Sequence, residues 1–165
     1  MDYDFQILDA VTDVNEKQKS HLVTKIKRYF GDLAGKHFAL WGLAFKPNTD
    51  DIREAPALEI IEVLLAAGAT IAAFDPEAMN NVKTIFGDRI SFCETPYDCL
   101  QNADALIIAT EWNEFRTPDF DKILASLKEP VIFDGRNVFD VAAMEKKGFH
   151  YESIGRPLVN QPKLV

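Results

Sequence analysis

Residues 37–74 read HFALWGLAFKPNTDDIREAPALEIIEVLLAAGATIAAF, and their pattern is the strongest indication of the fold in this sequence. It begins with a short, nearly continuous apolar run, His37–Trp41, which is typical of a strand buried on both faces. A polar loop follows, and Ala55–Ala67 then carries apolar residues on one helical face, with a proline in its first turn and a glycine after its end. A second apolar run, Thr70–Phe74, completes a strand, helix and strand unit.

The same alternation continues along the chain. Further strands are predicted at residues 90–92, 103–109, 131–133 and 150–153, and helices at residues 77–86, 97–101, 120–127 and 141–147. This order predicts an α/β fold with a Rossmann-like, doubly wound parallel sheet and helices on both faces. Apolar residues at helical spacing in Phe5–Val14 and Leu22–Phe30 predict an N-terminal helix before the first strand.

The composition indicates a compact globular protein. The chain has 165 residues, of which 47% are hydrophobic, enough for one ordinary core. Its formal net charge of −8 disfavours binding to nucleic acid. No stretch approaches the ~20 apolar residues of a membrane span, and the acidic start is unlike a signal peptide. We therefore expect a cytoplasmic protein that binds neither nucleic acid nor membrane.

The loops that follow the strands are the places to search for a ligand site, because ligands of such sheets bind beyond the carboxyl ends of the strands. The first of these loops keeps only Gly42 of a dinucleotide-binding glycine pattern. It contains Lys46, and the loop after the strand at 131–133 contains Arg136. Two cations at one rim suit a diphosphate ester. The alternatives are a solvated Lys46 and an Arg136 that pairs with Asp134.

Arg53 lies among the acidic residues Asp50, Asp51 and Glu54. For the three carboxylates we prefer a structural role, in helix capping and in ion pairs within the loop. Arg53 itself is either an anchor of the loop or a ligand contact.

No catalytic set is visible in the sequence. No serine or cysteine has a base at a suitable spacing, and the three histidines have no partners that would indicate a metal site. Trp112 follows a strand and is expected to pack against the sheet. The residues alone therefore predict a binding domain without catalytic or metal-binding residues.

The segment Gly42–Pro56 strongly resembles the UDP-glucose/GDP-mannose dehydrogenase family, in particular its bacterial UDP-glucose 6-dehydrogenase branch. Further matches are Ala73–Pro76, Thr110–Trp112 and Asp134–Asn137. The resemblance implies that residues 1–34 are the end of a central connecting helix region and that residues 35–165 form a UDP-sugar-binding domain. It implies, as partners, a UDP-sugar, the NAD-binding and dimerisation domains of the same enzyme, and further copies in a homo-oligomer.

The activity implied by the resemblance is the oxidation of UDP-glucose to UDP-glucuronate with two NAD as cofactor. In the family this reaction uses a cysteine outside the segment matched by this chain, so the chain is expected to bind its ligand without catalysis. The resemblance places Phe45, Lys46 and Arg136 on the UDP-sugar. It places Arg53 on the NAD held mainly by the N-terminal domain.

The sequence leaves two alternatives open and argues against a third. The chain could resemble the C-terminal domain of a UDP-N-acetylmannosamine or GDP-mannose dehydrogenase, or be a non-catalytic regulatory or oligomerisation module. A receiver-type signalling domain has a similar fold, but it requires an aspartate directly after its third strand. This sequence has Cys93 and Glu94 there, which argues against that class.

Overall fold

The computed structural model describes residues 21–159, and their strands form one six-stranded parallel sheet. The strands are β1 (His37–Trp41), β2 (Thr70–Phe74), β3 (Ser91–Phe92), β4 (Ala105–Ile108), β5 (Val131–Asp134) and β6 (His150–Ser153). The helices are α1 (residues 21–30), α2 (Pro56–Ala66), α3 (Met79–Phe86), α4 (Phe120–Ser126) and α5 (Val141–Lys146). Three short 3₁₀ turns lie at Gly87–Arg89, Asp98–Leu100 and Asn113–Phe115. The predicted doubly wound α/β fold is confirmed.

The strand order is β3-β2-β1-β4-β5-β6. The chain builds the sheet outward from β1 to one edge, returns to place β4 beside β1, and then builds toward the other edge. The direction of winding therefore reverses between β1 and β4. In open sheets of this type, ligands bind beyond the carboxyl ends of the strands at such a point of reversal.

Helix α1 packs into the same hydrophobic core as the sheet. Its residues Leu22, Val23 and Ile26 are buried, as the helical spacing predicts. The ring of Phe30 lies edge-on to Phe38 of β1, with 5.5 Å between ring centroids. The predicted helical stretch at residues 5–14 lies outside the described residues, and the domain boundary at residue 34 stays a prediction.

Most element ends agree with the sequence prediction within two residues, and the differences have local causes. α3 begins at Met79 and not at residue 77, because the carboxylate of Asp75 accepts the backbone N–H groups of Glu77 and Ala78 in a turn. The predicted helix at 97–101 is only a 3₁₀ turn. No helix within residues 21–159 is long and apolar enough to cross a membrane.

Candidate functional site

At this point of reversal the loops after β1 and β4 are in close contact. Gly42 has φ +91°, and a Cβ atom there would lie 2.5 Å from the Cβ of Thr110. The hydroxyl of Thr110 donates a hydrogen bond to the carbonyl oxygen of Ala44 at 2.6 Å. The glycine after β1 thus serves a close approach between loops.

Asp75, at the end of β2, joins three of the loops that follow the carboxyl ends of the strands. Its carboxylate is fully buried and accepts five hydrogen bonds of 2.6–3.0 Å. The donors are the backbone N–H groups of Leu43, Ala44, Glu77 and Ala78 and the indole Nε1–H of Trp112. A buried carboxylate with this many donors is compensated for its lost hydration. Trp112 is buried, so its predicted packing role is confirmed.

Asp134, at the end of β5, organises the loop that carries Arg136. Its buried carboxylate accepts the backbone N–H groups of Arg136 at 2.9 Å and Val138 at 2.7 Å, and the hydroxyl of Tyr151 at 2.7 Å. Burial and the nearby charge of Asp134 raise the pKa of Tyr151, which keeps its hydroxyl protonated as a donor. The backbone of the Arg136 loop is therefore held by a buried network.

The side chain of Arg136 pairs with Glu111 from the loop after β4. Its Nε donates to one carboxylate oxygen of Glu111, and its Nη2 donates to the other at 2.8 Å. The hydrogen bonds from Arg136 lower the pKa of Glu111, so the pair is charged at neutral pH. The alternative, in which Arg136 closes a turn and pairs with Asp134, holds for the backbone, because Asp134 accepts the N–H of Arg136. The guanidinium itself pairs with Glu111.

Phe45 and Lys46 lie on the outer part of the β1 loop. Phe45 has 46% of its surface exposed, although its backbone N–H is bound to the carbonyl of Asp51 at 2.8 Å. The Lys46 side chain is exposed and makes no hydrogen bond or salt bridge within residues 21–159. The bond between Ala44 and Thr110 joins this loop to the one that carries Glu111, the partner of Arg136. The structure thus places Lys46 and Arg136 on loops at one sheet edge, linked through the loop after β4.

Arg53 lies further along the same β1 loop, beside Asp51, whose backbone carbonyl accepts the N–H of Phe45. Its guanidinium makes a bidentate pair with Asp51, at 2.7 Å between Nη2 and Oδ2, while 87% of its side chain stays exposed. The predicted ion pairing in the loop is confirmed for Asp51. The predicted capping of the next helix is wrong, since Ala55 is the N-cap of α2 and no side chain caps it. A depression of about 540 Å³ between this loop and α3 is lined by Thr49, Asp50, Asp51, Ile52, Arg53, Asn81 and Thr84.

Two residues that organise the rim had no assigned role in the sequence analysis. Asp75 accepts donors up to 37 residues away, and Glu111 pairs with a residue 25 positions later. The only sequence signal was their place directly after a buried strand, where parallel strands bring side chains to a common edge.

The sequence comparisons identify the family. Residues 39–141 match the UDP binding domain of the UDP-glucose/GDP-mannose dehydrogenase family. The UDP-glucose 6-dehydrogenase of Pseudomonas aeruginosa is 45% identical over 161 residues, which are 94% of this chain and 36% of the relative. The UDP-glucose 6-dehydrogenase TuaD of Bacillus subtilis is 41% identical over 157 residues, which are 95% of this chain and 34% of the relative.

A solved structure agrees with these matches. A UDP-glucose dehydrogenase from the hyperthermophilic archaeon Pyrobaculum islandicum superposes with a TM-score of 0.70 and 36% identity, over 79% of this chain and 28% of that chain. The chain spans about a third of the length of the curated relatives it matches. It therefore belongs to the UDP-glucose/GDP-mannose dehydrogenase family and contains the UDP binding domain of that family.

Proposed function

We propose that this chain is the UDP-sugar-binding part of a UDP-glucose 6-dehydrogenase, and that the sugar nucleotide binds at the rim formed by the loops after β1, β4 and β5. The observation that supports this most strongly is the oriented guanidinium of Arg136. It lies at the same end of the sheet as the loop of Lys46, whose ammonium makes no hydrogen bond or salt bridge within residues 21–159 and interacts with Asp51 only through its charge.

Electrostatics favours an anionic ligand at this rim. The chain has a net charge of −8, so two cations near each other do not reflect a general excess of cations. Lys46 interacts electrostatically with Asp51 but forms no salt bridge with it, so its ammonium is available to a ligand. A lysine and an arginine on linked loops can bind the oxygens of a diphosphate through charge-assisted hydrogen bonds. In the proposal, Lys46 and Arg136 bind the UDP part of the ligand.

Phe45 adds an apolar surface next to these charges. Nearly half of its surface is exposed beside Lys46 at the rim. An exposed aromatic ring loses its contact with water when a planar base or the apolar face of a sugar covers it. Phe45 accordingly contacts the UDP-sugar in the proposal.

NAD does not fit the β1 turn of this chain. A dinucleotide fold presents the backbone N–H groups of this turn to the pyrophosphate. Here the N–H groups of Leu43 and Ala44 are bound to the carboxylate of Asp75, and α2 begins only at Pro56. The NAD-binding domain of the complete enzyme therefore holds the cofactor in this proposal, with Arg53 as the contact from this chain.

The complete enzyme supplies the remaining functions. In this proposal the oxidation of UDP-glucose to UDP-glucuronate, with two NAD as hydride acceptors, requires the NAD-binding and dimerisation domains and a homo-oligomer. The chain contributes substrate binding, and it does not oxidise the sugar alone. UDP-glucose is the preferred sugar because the curated relatives described above carry the name UDP-glucose 6-dehydrogenase.

Calorimetric titration of the 165-residue chain with UDP, UDP-glucose, GDP-mannose and NAD tests the proposal. We expect UDP and UDP-glucose to bind and NAD to bind far more weakly. Preferential binding of GDP-mannose would assign the chain to another branch of the family. Binding of NAD alone would contradict the proposal. Binding of none of the four would contradict a self-sufficient site and favour a regulatory or oligomerisation module.

A further inference from the structure

The pair between Glu111 and Arg136 uses only one edge of the guanidinium. Nε and one N–H of Nη2 are bound to the carboxylate of Glu111. Within the described residues, Nη1 makes no hydrogen bond. Because the five N–H groups of a guanidinium lie in one fixed plane, binding one edge also fixes the direction of the free edge.

Glu111 is itself held on both sides along the chain. Thr110, before it, is buried and donates to the carbonyl of Ala44 at 2.6 Å. Trp112, after it, is buried and donates to Asp75 at 3.0 Å. The backbone that carries Glu111 is therefore fixed relative to the loops after β1 and β2.

The burial of this pair differs from that of the other bidentate arginine pairs in residues 21–159. The side chains of Arg136 and Glu111 are 32% and 25% exposed, compared with 52% and 51% for Arg89 and Glu62. Arg53 is 87% exposed beside Asp51. Water competes least for the donors of Arg136, so this pair restricts its arginine most.

We propose that Glu111 is a positioning residue, which orients Arg136 so that its free Nη1 and Nη2 edge meets acceptor oxygens of the UDP-sugar. The inference rests on the proposed function. Glu111 acts through Arg136 and does not contact the ligand. Its negative charge opposes the binding of an anion, but Arg136 neutralises that charge directly, and the gain from a preorganised guanidinium is larger.

The variant Glu111→Gln tests this role, because it keeps the shape of the side chain and removes its charge and one acceptor oxygen. We expect the Kd for UDP-glucose to rise about tenfold, the change that follows from losing a charge-assisted pair that orients the donor. In an Arg136→Ala background the same substitution should have no further effect, because it acts through Arg136. The matched control Glu62→Gln breaks an exposed pair with Arg89 and should leave the Kd unchanged.

Two results would overturn the inference. One is a Kd of Glu111→Gln that is equal to or lower than that of the wild type, while Arg136→Ala weakens binding. The other is an equal loss of affinity from Glu111→Gln with and without Arg136, which would indicate a general structural role.

A measurement without ligand separates this inference from the proposed function. If the wild-type chain does not bind UDP-glucose, the proposed function fails, but the NMR signal of the Arg136 Nε–H still reports its orientation. We expect slow exchange and restricted motion of this group in the wild type and in Glu62→Gln, and their loss in Glu111→Gln. Motion as fast as that of the exposed Arg116 in the wild type would overturn the inference.

Discussion

A Cβ atom at Gly42 would lie 2.5 Å from the Cβ of Thr110 and 2.6 Å from its backbone nitrogen. These residues follow the two strands between which the winding of the sheet reverses. Their contact brings the β1 and β4 loops together at this point of reversal. The positions of Lys46 and Glu111, each a few residues further along one loop, depend on it.

The substitution Gly42→Ala should lower the free energy of unfolding by about 3 kcal/mol, because it adds both a strained positive φ and an overlap with backbone. Urea denaturation measures this change. Gly148 is a matched control, since it has φ +83° with no heavy atom within 4 Å of an added Cβ. Gly148→Ala should lose about 1–2 kcal/mol, from the backbone strain alone. Equal losses in the two variants would contradict the close-contact account.

The substitution Asp75→Asn should destabilise the fold by about 3 kcal/mol, because an amide nitrogen would face N–H donors that now bind a carboxylate. The NMR signal of the Trp112 indole N–H should shift, since Asp75 is its acceptor. Asp32→Asn is the control, because Asp32 is exposed and accepts one backbone N–H, from Ala34. A small and equal effect of both substitutions would show that Asp75 does not hold the loops.

The sequence predicted the strands and loops that form this site better than the side-chain contacts within it. The bounds of β1 and β2 were predicted to the residue, because their apolar runs are short and end at turn residues. Those of β6 also match, although His150–Ser153 is not an apolar run. Lys46 and Arg136 were assigned to one end of the sheet from the order of the elements alone, because the carboxyl ends of parallel strands lie at the same end of a sheet. The sequence did not show that Glu111 and Asp75 hold these loops in place. Hydrogen bonds between residues 25–37 positions apart produce no periodic pattern in the sequence.

The carboxyl group of Asp51 should titrate at a pKa of about 2, below its usual 3.8, because Arg53 donates hydrogen bonds to it. The favourable contribution of the pair is thus present above pH 3.8 and is lost as the pH falls through 2. NMR titration of the carboxyl carbon in wild type and Arg53→Gln checks this, and the variant should return the pKa toward 3.8. An unchanged pKa in the variant would contradict the observed pair.

The substitution Lys46→Ala should weaken UDP binding by about 1.5–3 kcal/mol, the loss expected for a charge-assisted hydrogen bond. It should also reduce the dependence of the Kd on salt, because the exposed ammonium contributes a screened attraction. Its stability should stay at the wild-type value, since Lys46 has no hydrogen bond or salt bridge in the described part of the chain. A Kd and salt dependence equal to those of the wild type would remove Lys46 from the site.

The most direct test of the central claim, that the rim at Arg136 binds the UDP-sugar, is titration of UDP-glucose into the wild-type chain, Arg136→Ala and Arg89→Ala. Arg89 is the matched control because it also forms a bidentate carboxylate pair, with Glu62 on α2. We expect Arg136→Ala to weaken binding by about 1.5–3 kcal/mol, through the loss of charge-assisted hydrogen bonds, and Arg89→Ala to bind like the wild type. Equal affinity in all three proteins would contradict it.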